Sequence, residues 1–261
     1  MSIIRQGKLS EILLTIVFLA FTLYYLARAL KGRIQEYRRL PGLDAINDGV
    51  DRAVETGRPV LMSMGAYAYL SGLFAAMTIS AVNIMRYTYR LSIRKGATPL
   101  FVLPHNPEVA PLIDGIYREA AVAEGKPEAY KRENIFFFGN DETAYRSGFL
   151  NLLGANPPAT VVLVGAITGT GDAIALWTTR SVNSLLVGGQ ARTTHQGETP
   201  AWDYCMYLSD VYAGGAILSG DQVMMSSLIS SDVITWFAVA LLGIGLILVL
   251  IGLPFVQWTR M

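Results

Sequence analysis

TVVLVGAITGTGDAIALW, residues 160–177, decides the fold. Its first five residues are apolar or β-branched without interruption, so the segment offers no polar face to water. A strand of that kind is buried on both sides, which happens when helices cover both faces of a parallel sheet. Glycines follow at Gly165, Gly169 and Gly171, and a helical stretch comes next. Strand, glycine-rich turn and helix in that order form the repeating unit of a doubly wound α/β sheet.

The same reading extends outward in both directions. Short apolar strands are expected at Pro59 to Ser63, Pro99 to Leu103, Asn134 to Phe138, Thr160 to Gly165 and Ser184 to Val187. Helical stretches lie between them, and such alternation implies parallel pairing through crossover helices. Before the first strand, Leu43, Ile46, Val50 and Val54 share one helical face, and the helix stops at Gly57 ahead of Pro59. Asn106 followed by Pro107 is a helix start, and Asn140 or Asp141 caps the helix that carries Tyr145 and Phe149. The run Pro59 to Met85 has no charge, and Leu70 to Met85 competes as a membrane segment. Ser71, Thr78, Ser80 and Asn83 dilute it, and Arg86, Arg90, Arg94 and Lys95 follow, so a buried crossover helix is expected. The expected fold is α/β, a doubly wound, mostly parallel, Rossmann-like sheet domain between two transmembrane helices.

Those two helices sit near the ends of the 261-residue sequence. Val233 to Val256 carries no charged residue and at helical rise crosses a hydrocarbon core of roughly 30 Å. Trp236 at one end and Phe255 with Trp258 at the other match the two headgroup levels, and Pro254 reads as the helix end. Ala238, Gly245 and Gly252 recur every seven residues as a small-residue stripe suited to helix packing, against a second copy or against the first helix. Ile12 to Leu30 is broken only by Arg28, which can snorkel to the interface; it reads as an uncleaved anchor in preference to a signal peptide. Arg28, Lys31, Arg33, Arg38 and Arg39 follow this helix whereas only Arg5 and Lys8 precede it. That bias puts the central domain in the cytoplasm and both termini outside. The expected division is 1–11 N-terminal segment, 12–30 first helix, 31–41 basic collar, 42–231 α/β domain, 232–258 second helix and 259–261 terminal residues. The lipid bilayer is then one partner. A net charge of +1 gives no field to recruit nucleic acid. The single cysteine, Cys205, cannot form an internal disulfide and reads as a small core residue.

Two longer runs carry a resemblance. RRLPGLDAINDGVDRAVETGRPVLMSMG, residues 38–65, and DYCMYLSDVYAGGAILSGD, residues 203–221, with the membrane helix entered through Asp232, resemble a family of prokaryotic membrane proteins described as domain of unknown function 6754. The resemblance covers about residues 38–250 and implies the fold, a prokaryotic cell membrane and the two-pass topology. The acidic pair that precedes the family's Tyr-Ala-x-Gly-Ala stretch is represented here by Asp210 alone, which counts against a role needing two carboxylates.

Ligands of open parallel sheets bind outside the carboxyl ends of the strands. Gly165, Thr168, Gly169, Gly171 and Asp172 form the candidate turn there, with His105 on a neighbouring strand end. The turn is neither Gly-x-Gly-x-x-Gly nor a P-loop, no lysine follows it, and Asp172 at the helix start would repel an anion. Ser63-Met64-Gly65, Gly139-Asn140-Asp141 and Gly188-Gly189-Gln190 mark other strand ends, and His195 lies in a polar loop. No serine elbow or metal-ligand spacing accompanies them, so no catalytic residue, metal or cofactor is assigned. Tyr204, Tyr207 and Tyr212, just ahead of the second helix, read as a subunit surface or as ordinary core. The expected function is a membrane-anchored scaffold or organising subunit, a homo-oligomer or part of a multi-protein membrane assembly, without catalysis of its own. The alternatives are a nucleotide- or metabolite-binding enzyme or sensor and, third, a transporter subunit.

Overall fold

The structure is a computed structural model that describes residues 9–32, 37–167, 180–192 and 202–251. Thr168, Gly169, Gly171, Asp172, His195, Gly252, Pro254, Phe255 and Trp258 lie outside the described residues. The chain divides into two units, Arg38–Gly220 and the terminal segments Met1–Tyr37 with Asp221–Met261.

In chain order the main elements are α1 (Leu9–Leu30), α2 (Pro41–Thr56), β1 (Val60–Ser63), α3 (Ala75–Lys95), β2 (Pro99–Val102), α4 (Ala110–Ala123), β3 (Ile135–Phe136), α5 (Glu142–Ala155), β4 (Thr160–Val164), β5 (Leu185–Gln190), β6 (Tyr204–Tyr207), α6 (Ser209–Ser219) and α7 (Gln222–Leu250). The strands form one sheet in the order β3-β2-β1-β4-β5-β6, and every pairing is parallel. This is the doubly wound order, in which the chain builds outward from β1 in both directions. Val60 stands opposite Pro99 on one side and Thr160 on the other.

Strand residues alternate between two cores, as a pleated strand with two covered faces must. Val60, Met62, Phe101, Val162, Val164 and Val187 pack under α2, α3, α4 and α6. Leu61, Leu100, Val102, Val161, Leu163 and Leu186 pack against Tyr145, Phe149 and Leu153 of α5, with Trp202 beside them. Gly188 of β5 leaves room for that indole, since a Cβ there would meet its ring at 2.3 Å. On the first face Tyr89 and Tyr117 stack at 3.9 Å between ring centres, and burial pushes the Tyr89 hydroxyl up to about 12.

Several sequence expectations shift in detail. The buried face of α2 is Gly42, Ala45, Ile46, Gly49, Val50 and Ala53, while Leu43 is only partly buried and Val54 is exposed. The small residues face the sheet because the helix lies close to it: a Cβ on Gly49 would come within 2.5 Å of the Thr160 methyl, and one on Gly42 within 2.6 Å of Met206. At one edge β3 holds only Ile135 and Phe136, since a single neighbour supplies its ladder. β5 runs on to Gln190, and the other edge is β6, a strand that the apolar runs of the sequence do not announce. The charge-free segment after β1 becomes a loop and α3, whose Ala81, Ile84 and Met85 are fully buried as a crossover helix. Caps fall where expected: Asn106 accepts from Glu108 N at 3.1 Å, and Asp141 from Ala144 N at 2.9 Å.

In the terminal unit α1 and α7 pack side by side, with the Phe18 and Phe21 rings 6.4 and 5.9 Å from that of Phe237. Asp221 caps α7 through Val223 N and Met224 N, and the Tyr37 hydroxyl donates to Asp232 at 3.1 Å. Both helices are long and apolar enough to cross a membrane, over 20 residues at mean hydropathy 1.9 and 29 residues at 2.7.

Candidate functional site

The chain reverses winding direction between β1 and β4, and the crevice of such a sheet opens there, at the carboxyl ends. The loops leaving the two strands cross at that point. Gly165 and Gly65 both have positive φ, +138° and +83°, which a residue with a side chain rarely adopts. A Cβ on Gly165 would lie 2.7 Å from Met64 O, and one on Gly65 2.5 Å from Ala166 O. The close approach lets Ala166 N donate to Met64 O at 2.9 Å and Tyr67 N to Ala166 O at 3.2 Å. Gly165 N donates to Gly189 O at 2.9 Å, so the amide of this candidate residue is already committed to backbone. Thr168, Gly169, Gly171 and Asp172, which follow in the sequence, lie outside the described residues.

His105, at the end of β2, is brought to the same edge by a bond from its N–H to Ala66 O at 3.3 Å. Its Nε2 lies 3.0 Å from the Tyr69 hydroxyl, and the Tyr67 ring meets the imidazole edge-on at 4.8 Å. His105 Nδ1 is buried with no hydrogen-bond partner among the described residues. Phe74 packs near Tyr67 and Tyr69, and the Arg192 guanidinium stands 5.1 Å from the Phe74 ring centre. Glu142 accepts from Tyr67 at 2.7 Å and pairs with Arg146 at 3.2 Å. Ser63 Oγ bonds Tyr145 OH at 2.9 Å and donates to Val102 O at 3.0 Å in the core, so this hydroxyl is committed there. The arrangement is an aromatic floor with one histidine and one cation above it. It has the makings of a contact surface for a flat or anionic group, and the hydroxyl that the imidazole meets is the Tyr69 phenol. Among the described residues no three His, Cys, Asp or Glu side chains are grouped to hold a metal ion.

Sequence reasoning places His105 on this edge but misses Tyr67, Tyr69, Phe74, Glu142 and Arg192. The available signal is Tyr67-Ala-Tyr69 just after Gly65, two aromatics in a turn that follows a strand.

Tyr204 and Tyr207 sit on edge strand β6, 39% and 45% exposed, on opposite faces because they are three positions apart. Tyr212 is partly buried in α6 against the core, and burial raises its hydroxyl above the usual range. Cys205 is half-buried on β6, and burial pushes its thiol up to about 12. Of the small-residue stripe, Gly245 is buried within the helix pair and Ala238 partly so, while Gly252 is outside the described residues.

Fold and chain order together define an all-parallel doubly wound α/β domain with a long apolar helix at either end. The chain belongs to the family described as domain of unknown function 6754, whose model matches residues 1–259. No curated protein and no solved structure matches it.

Proposed function

We propose that this is a two-pass protein of a prokaryotic cell membrane whose cytoplasmic α/β domain organises an assembly of like or unlike subunits and performs no chemistry of its own. The observation that carries the membrane half is the exposed apolar surface of the terminal helices. Leu242, Leu246 and Leu250 are 71, 63 and 77% exposed, and Ile16, Leu19 and Leu23 more than half. Water opposes so much apolar area, and a bilayer's hydrocarbon removes the cost.

The assembly half rests on a surface at the edge of the sheet. The edge strand β6, with no further strand beside it among the described residues and with Tyr204 and Tyr207 exposed on its two faces, is the surface assigned to a neighbouring subunit. Two-dimensional confinement and shared orientation raise the effective concentration of such edges.

The test is the particle mass of the intact protein, taken from native membranes by crosslinking and then in mild detergent. A discrete multimer is expected, and Tyr207→Asp should shift it towards smaller species. A monomer in both settings overturns the proposal. The aromatic floor beside His105 favours a second reading, a small-molecule sensor. Thermal shift of the intact protein against a nucleotide panel separates the two, because specific binding raises the transition by mass action.

A further inference from the structure

A second polar concavity lies on the outer surface of the α/β unit, away from the sheet's carboxyl edge. α3 returns antiparallel to the strands, so its last turns lie beside the amino ends. There Arg86, Arg90 and Arg94 recur at four-residue spacing and share one side of the helix. With Asn83 and Tyr87 of α3, and Leu218 and Ser219 from the end of α6, they line a groove of about 370 Å³. That volume is at the small end of ligand pockets.

Its walls are fixed before any ligand arrives. Asn83 donates to Gly215 O at 3.3 Å, and the Tyr87 hydroxyl accepts from Asn47 at 2.9 Å. Glu124 holds two of the guanidiniums, accepting from Arg90 Nε at 2.7 Å and from Arg94 Nε and Nη2 at 2.9 and 2.8 Å. Glu119 meets Arg86 Nη2 at 2.5 Å. Lys126 sits at the same end of α3, donating to the carbonyls of Ile93 and Arg94 at 2.9 and 3.1 Å. Two carboxylates thus face three guanidiniums and an ammonium. Arg86 Nε is buried and has no partner among the described residues.

We propose that this groove binds a phosphate-bearing anion, with Arg86, Arg90 and Arg94 as its donors. Guanidinium forks match phosphate oxygens two at a time, and helical spacing presents three forks in a row. A carboxylate ligand would have to compete with Glu119 and Glu124 on their own terms, whereas a phosphate brings more acceptor oxygens and more charge. Such a phosphate has two sources, a soluble ester or the headgroup of an anionic phospholipid. Ser219 stands three positions before Gln222, the first residue of the apolar helix α7, which makes the lipid source worth a separate arm.

The test uses the full chain in a neutral detergent. One arm titrates glycerol 3-phosphate calorimetrically; the other measures retention of phosphatidylglycerol against phosphatidylcholine by native mass spectrometry. Binding in the first arm alone identifies a soluble ester, and selective retention in the second a lipid headgroup. In whichever arm binds, Arg86→Gln should weaken binding by about tenfold, as expected for loss of a charge-assisted pair. Glu119→Gln, which frees Arg86 from its exposed competitor, should strengthen it and serves if the arginine variant does not fold. Failure of both anions to bind, or an affinity unchanged in both variants, overturns the proposal.

Discussion

Glu124 gathers the guanidiniums of Arg90 and Arg94 on one carboxyl group. The hydrogen bond from Arg94, reinforced by Arg90 against an opposing burial cost, lowers its pKa from 4.5 to about 2. A carboxyl whose folded value lies below its unfolded value stabilises the native state above the unfolded value. That contribution fades as pH falls from 4.5 towards about 2. Urea unfolding at about pH 6 and about pH 3 should therefore show a larger acid loss in the native protein than in Glu124→Gln. Equal losses would remove Glu124 from the acid response. Glycines allow a second contrast at the same scale. Gly49 lies against Thr160, so Gly49→Ala should destabilise by about 1–3 kcal/mol through overpacking. Gly115 lies within α4 with nothing within 4 Å of a Cβ, and Gly115→Ala should stabilise by about 0.5–1 kcal/mol. Denaturant midpoints of the two variants, moving in opposite directions, check the pair.

At the scale of elements, α5 alone among the described helices covers the second face of the sheet near Leu61 and Leu163, so its start matters to the core. Asp141 accepts from Ala144 N there, and Asp141→Ala should cost about 1 kcal/mol, read as a lowered thermal midpoint, with Asp141→Asn recovering most of it. This cap was legible in the sequence, as were β1, β2 and β4 at nearly full length and β3 and β5 in part, because strands buried on both faces leave continuous apolar runs. β6 was not legible. Its residues Tyr204, Cys205, Met206 and Tyr207 mix exposed and buried positions as an edge strand does, and the pattern merges with the helix that follows. The face of α2 was read in part, with Ile46 and Val50 buried as expected and the rest missed for a different reason. Bulky Leu43 and Val54 dominate a hydrophobic pattern, whereas closeness to the sheet selects Gly42, Ala45, Gly49 and Ala53. Of the candidate edge, Gly165 and His105 were legible, whereas Tyr69 reaches the imidazole from the loop after β1 and Glu142 meets Tyr67 from the start of α5, neither of which periodicity announces.

For the whole molecule the deciding question is the side of the membrane on which the α/β unit resides. The basic residues after α1 outnumber those before it, and translocation of positive charge near a helix end is what the bilayer and its potential oppose. On the proposed two-pass reading the helices return the chain to the side from which it began, with the α/β unit between them on the other. An external thiol reagent reports this directly if one cysteine is placed where the reagent can reach it. Lys131 is exposed in the loop before β3, so Lys131→Cys introduces an accessible probe outside the helices and strands. The native thiol is a weak competitor because burial pushes Cys205 up to about 12, keeping it protonated near neutral pH. Cys205→Ser removes it altogether. In intact cells a membrane-impermeant maleimide should leave the introduced thiol unlabelled, and permeabilisation should make labelling complete. Complete labelling before permeabilisation would place the unit outside and invert both termini with it.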